Sequence, residues 1–210
     1  MSLKNNSLAL TLTYLLVMLL PNIFLTFFKD NNIYYALITI CSLLGMLAMF
    51  YFNHKYPFIN SLAPKKSSYL KTLLWGIGGA VAALILQHLS SFIEINFLNQ
   101  AIESQNTAAA LTILSQYPYY IFYIVLAAPI MEEFVFRKVL FGNLSGLLGQ
   151  VGAALLSSTL FSIAHQDAHF FTYAIIGLTF CFIYSKTGKL HSSMLAHILM
   201  NTIIVILNLI

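Results

Sequence analysis

Glu132 and Glu133 stand side by side in an apolar stretch, and Arg137 follows four residues after the second of them. The chain has only six acidic residues. By insertion scales, each carboxylate or guanidinium at a membrane-helix centre costs roughly 2.5 to 3.5 kcal/mol. Charges are kept at that cost where they face one another or a wet cavity, and such clusters usually mark function. Two more pairs share the i, i+4 spacing, Phe161 with His165 and His197 with Asn201. Each pair therefore occupies one helix face. The chemistry this set suits is water activation. A desolvated glutamate can act as general base near neutral pH. Neutral imidazoles can orient water, donate to an oxyanion or bind a metal, and Asn201 offers an uncharged donor.

Any one of these features alone could be scaffold, since a buried Glu-Arg pair or a lone membrane histidine often only ties helices together. Their joint presence on three spans favours a catalytic or ligand site. No His-Glu-x-x-His zinc signature and no Gly-x-Ser-x-Gly elbow occurs. Arg137 can satisfy Glu133, leaving Glu132, turned about 100° away on a regular helix, to face the bundle. Pro129 lacks a backbone donor one turn earlier, so it is expected to leave a carbonyl for water or substrate.

The elements that must hold these residues are membrane helices. The 210 residues are 60% hydrophobic and 8% charged, against about a quarter charged in soluble domains. The expected fold is all-α, a single polytopic transmembrane bundle over 1–210 with about seven spans of the length a bilayer needs. The spans are read at Leu8–Phe28, Ile33–Phe52, Leu70–Ile93, Pro118–Phe141, Leu147–His165, Phe170–Ser185 and Leu190–Ile210. The first is read as a retained span and not a signal peptide, because it lacks a small-residue cleavage site. The net charge of +4 is a topology signal and not a nucleic-acid patch, so a bilayer is expected as partner and nucleic acid is not. With the N-terminus inside, nine of the ten basic residues fall on the cytoplasmic side and only Lys29 outside. The connection Glu94–Tyr117 has no Lys or Arg. Tyr117, Tyr119 and Tyr120 then belong to an outer aromatic belt.

The ordered set Glu132, Glu133 and Arg137, then Phe161 and His165, then His197 and Asn201 resembles the CPBP family of CAAX prenyl proteases and bacteriocin-processing or immunity proteins, also called Abi. The Lys186–Leu190 turn adds to the likeness, which covers about 117–208. The stretch Met131–Gly142 is more similar to the Gram-positive branch that matures signalling peptides or confers bacteriocin immunity than to the eukaryotic Ras-converting enzymes. The resemblance implies an intramembrane endopeptidase of the bacterial cytoplasmic membrane acting on a hydrophobic peptide or protein tail. Under it Glu132 is the general base, His165 and His197 polarise the water or bind a metal, and Asn201 holds the oxyanion. Glu133, Arg137 and Phe161 support the site. Members are described both as metal-dependent and as metal-free glutamate proteases. Either zinc or another divalent metal on His165, His197 and Glu132, or no cofactor, is compatible with the residues.

Competing classes are a non-catalytic immunity or peptide-binding protein, which has no need of Glu132, and a transporter, for which inverted repeats are missing. Glu132, His165 and His197 are expected to share one polar cavity, reached from the cytoplasmic side or inner leaflet. Straight spans would leave His165 about 15 Å out of level with the other two, at 1.5 Å per residue, so a broken or tilted fifth span is expected. Asp167 and His169 read as interfacial, and His54, His88 and His191 as structural or solvated. Cys41 and Cys181 read as small buried hydrophobes, and Gly142 with Gly146 as a turn.

Overall fold

The computed structural model describes residues 3–27, 30–62 and 67–209. Lys29, Lys65 and Lys66, like the expected span ends Phe28 and Ile210, lie outside the described residues. The helices are α1 (Leu3–Phe27), α2 (Asn31–Lys55), α3 (Tyr69–Leu98), α4 (Gln105–Gln116), α5 (Pro118–Asn143), α6 (Ser145–His165), α7 (Phe170–Thr187) and α8 (Leu190–Leu209). All but α4 are long and apolar enough to cross a bilayer, and no strand occurs among the described residues. This is a multi-pass membrane protein.

Local chemistry sets the helix ends. Asp30 accepts from the backbone N–H groups of Asn32 and Ile33 to cap α2, and Ser68 caps α3. Gly188, at φ 65°, closes α7 in the left-handed conformation that glycine adopts without penalty. The connection read as irregular between α3 and α5 contains α4, started by the side chain of Ser104 accepting from Thr107 N–H. Its twelve residues are too few and too mixed in polarity to stand out as a span.

The central element is α5, 56% buried in its most apolar stretch against at most 44% for any other span. Met131, Phe134, Val135, Phe136 and Val139 fill the core from it. On one side α1 and α2 pack together, α3 packs on α7 and α8, and α6 packs on α5 and α7. Within α5 the backbone leaves the α register twice. Tyr123–Ala127 and Glu133–Asn143 are π-helical, flanking an α-helical turn at Ala128–Glu132. Such wide turns concentrate at functional sites. The expected break in the fifth span is present in α6, where Gly149 takes φ 70° and ψ 163°.

Charge divides the bundle into two ends. Lys4, Lys55, Lys71, Lys138, Lys186 and Lys189 lie toward one end, and Asp30, Glu94, Glu103 and Asp167 lie toward the other. At the basic end a buried amide cluster ties α1, α5, α7 and the α2–α3 connection. Asn60 donates to Tyr184 Oη at 2.9 Å and to Asn143 Oδ1 at 3.3 Å, and Asn143 donates to Ser7 Oγ at 2.9 Å. The turn expected around Gly142 and Gly146 joins α5 to α6.

Candidate functional site

Glu132 and Glu133 leave α5 at the junction of its α-helical turn and its second π segment. His197 comes from the first half of α8 and lies between them. Its Nδ1 is 3.1 Å from Glu133 Oε1, and its Nε2 is 3.8 Å from Glu132 Oε2. Sequence spacing pairs Glu133 with Arg137, and the structure adds His197 to that pair. Arg137 Nε stands 3.4 Å from Glu133 Oε1, with both side chains fully buried. The guanidinium also lies against aromatic faces, its Cζ 4.3 Å from the Phe161 ring centre and 5.1 Å from that of Phe180. Phe161 is thus a platform for Arg137, and it also meets the His165 ring at 4.4 Å.

The hydrogen bonds fix which ring atoms face inward. A carbonyl only accepts, so His165 Nδ1–H donates to Phe161 O at 2.8 Å, and the neutral ring presents Nε2 as a lone pair. His197 Nδ1–H likewise donates to the Glu133 carboxylate, leaving Nε2 toward Glu132. Both rings are clamped by stacking, His165 on Tyr173 at 4.1 Å and His197 on Phe180 at 4.7 Å. Tyr173 and Phe180 were not singled out in the sequence, because an aromatic residue in an apolar span carries no signal of its partner.

Glu132, Phe161, His165, His197 and Asn201 line one cavity of about 230 Å³. Glu132, expected to share one polar cavity with both histidines, stands 3.8 Å from His197 and lines the same, largely apolar, cavity as His165. The Glu132 side chain keeps 17% exposure while that of Glu133 has none. Tyr120, Tyr123, Ala128, Ile176, Met200, Ile204 and Val205 extend the lining along α5, α7 and α8, and α4 contributes Asn106, Thr107, Ala109, Ala110, Leu111 and Ile113.

Asn201 is partly committed. In the first π segment Ala128 N–H bonds to Tyr123 O, so the next N–H in register would be that of residue 129. Proline has none, and the Ile124 carbonyl accepts instead from Asn201 Nδ2 at 3.1 Å. The carbonyl expected to be open to water or substrate is therefore taken, and one Asn201 N–H remains for other use.

Three lone-pair atoms, on Glu132, His165 and His197, are the right chemistry for a divalent cation. Their spacing is not: among the described residues no three His, Cys, Asp or Glu side chains gather closely enough to hold one.

Other expectations are corrected. His169, read as an interfacial loop residue, does lie in the α6–α7 connection but is buried, 3% exposed, its Nδ1 3.0 Å from Glu94 Oε2. The same carboxylate accepts from the N–H of Phe171 at 2.7 Å and from Thr172 Oγ1 at 2.6 Å, capping α7. Asp167 anchors α4 by accepting from Asn106 N–H at 2.8 Å and Ser104 Oγ at 2.7 Å. Cys41 is half-buried, while Cys181 is buried as read. The cavity does not run to the basic end as expected; its lining continues from Glu132 toward α4.

Residues 114–203 match the family described as type II CAAX prenyl endopeptidase Rce1-like. YdiL of Bacillus subtilis (strain 168), provisionally named a membrane peptidase, is 36% identical over 146 residues, covering 69% of this chain and 60% of that protein. The membrane-embedded CAAX protease MroQ of Staphylococcus aureus (strain USA300) is 30% identical over 142 residues, 64% of this chain and 58% of its own. The chain thus spans about 60% of the length of these curated relatives. No solved structure matches it. Over residues 114–203 the likeness carried by the three motifs is therefore a likeness to the Rce1-like CAAX prenyl endopeptidases.

Proposed function

We propose that this chain is an intramembrane endopeptidase that cleaves a hydrophobic, membrane-associated peptide with water activated by Glu132. The observation that carries this reading is the asymmetry of the two glutamates around His197. One is locked by Arg137 and Nδ1, while the other keeps 17% exposure at the cavity beside Nε2. A water between Glu132 and an imidazole Nε2 donates one hydrogen to each acceptor and turns its lone pair toward a peptide carbonyl. Glu132 takes a proton as the water oxygen bonds to the carbonyl carbon. The remaining Asn201 N–H supports the oxyanion. Glu132 then returns that proton to the amine as the C–N bond breaks. Glu133 and Arg137 keep His197 oriented and do not touch substrate.

The apolar lining suits a lipophilic peptide more than a polar chain. The name of the staphylococcal relative describes a CAAX protease, so a C-terminal CAAX segment is one such substrate and a short signalling or bacteriocin peptide another. A non-catalytic immunity protein would use the same cavity for binding alone. The test is cleavage of a set of fluorogenic hydrophobic peptides, prenylated and unprenylated, by purified protein and by Glu132→Gln. Turnover lost in the variant with peptide binding retained supports the reading. Binding without turnover in the unaltered protein replaces it with the immunity reading.

A further inference from the structure

The cavity has a direction. From Glu132 its lining passes along α5 through Ala128, Ile124 and Tyr123 to Tyr120, and along α8 from His197 to Val205. Both runs lead away from Lys138, Lys186 and Lys189 and toward the end that carries Glu103 and Asp167. His165 is the last residue of α6 and joins the cavity from that same end. The roof there is α4, whose sequence has no charged residue. The opposite direction is closed. Below Glu132 lie Glu133, Phe136, Arg137, Phe161 and Phe180, none more than 5% exposed. Beyond them the buried Asn60–Asn143–Tyr184 cluster fills the basic end.

Basic residues next to short membrane loops mark the cytoplasmic side. We infer that the cavity takes its substrate from the non-cytoplasmic side, between α4 and the outer leaflet. Its substrate class is then narrowed, within the hydrophobic peptides proposed above, to one whose cleavage point lies at that outer surface, which favours a membrane-crossing peptide over a CAAX tail presented from the cytoplasm. The word substrate rests on the proteolytic reading, but the direction of access does not. A peptide crossing or leaving the membrane would bring an apolar side chain against Ile176, Met200 and Ile204 as its backbone meets Glu132. Water reaches the base by the same opening, which the phenols of Tyr120, Tyr123 and Tyr173 line.

The test is thiol accessibility in a background with Cys41→Ala and Cys181→Ala. Single variants Asn106→Cys on the roof, Ile204→Cys in the cavity and Lys186→Cys at the basic end are probed with a membrane-impermeant maleimide. Right-side-out and inside-out vesicles are compared. The expected result is labelling of positions 106 and 204 only in right-side-out vesicles, and of 186 only in inside-out vesicles. Labelling of 204 together with 186 overturns the inference by opening the cavity at the basic end. Reversal of 106 and 186 overturns it through the orientation, and labelling of 106 with 204 silent from both sides overturns the open route. Since the readout is chemical labelling, it is unaffected if the Glu132→Gln comparison finds no proteolysis.

Discussion

His197 touches two adjacent glutamates with two different nitrogens, Nδ1 at 3.1 Å from Glu133 and Nε2 at 3.8 Å from Glu132. One imidazole thereby separates neighbouring carboxylates into an anchored member and an available one. Their division of labour follows from which ring edge each meets.

Replacing the two glutamates should give opposite phenotypes. Glu133→Gln leaves Arg137 buried without its counter-charge, and breaking a buried pair in this way costs about 3 to 5 kcal/mol. Thermal unfolding in detergent should show a large loss of stability and of folded yield. Glu132→Gln should unfold close to the unaltered protein yet lose turnover by about 10² to 10⁴-fold, the usual contribution of a general base. A stable, inactive Glu133→Gln beside an active Glu132→Gln would reverse the assignment.

Asn201→Ala removes the donor to the Ile124 carbonyl. A buried acceptor left unpaired costs about 1 to 3 kcal/mol, so the melting temperature should fall as well as kcat. Asn201→Asp lacks the N–H altogether and should be no better. If Asn201→Ala melts normally and only kcat drops, the carbonyl bond is not structural.

Chelation should leave peptide cleavage intact, because Glu132, His165 and His197 are not drawn together as ligands. Metal content by plasma emission, measured on the same preparation, checks that none is retained. Loss of cleavage on stripping, restored by zinc, would show that the three side chains close around an ion.

Asp167 should set the acid limit of α4 anchoring. Burial raises its pKa, but the N–H groups of Asn106 and His169 and the Ser104 hydroxyl outweigh this and hold it below its ordinary 3.8. The ionised form is therefore the one that grips α4. Anchoring is fully present above pH 3.8 and is lost as pH falls through the lower folded value. Hydrogen-exchange protection of α4 amides should hold from neutral pH down to about that point and then fall. Asp167→Ala should lack that protection at every pH, and a variant equally protected would detach Asp167 from this role.

Most of the spans were readable because about 20 apolar residues in a row carry their own signal. Glu132, Glu133, Arg137, His165, His197 and Asn201 were readable because polar groups are conspicuous in such runs. What stayed hidden depends on partners distant in sequence. His169 looked like a loop residue, and nothing local says that Glu94, 75 positions earlier, buries it. The α4 roof was missed because its polarity is that of a connection. The direction of the cavity was misread because the ends of the spans, and not the faces of α5 and α8, guided the expectation. The π turns in α5, at Tyr123–Ala127 and Glu133–Asn143, leave no period in the residues themselves.

Pro129 and Asn201 are joined by a carbonyl that belongs to neither. A chain with an ordinary residue at 129 would supply its own N–H to Ile124 and release the asparagine amide. One without Asn201 would be better served by restoring that N–H. Across relatives the two positions should therefore be inherited together, with losses of the proline and of the asparagine appearing in the same lineages. Descent would then record as one character what the chain spells seventy-two residues apart.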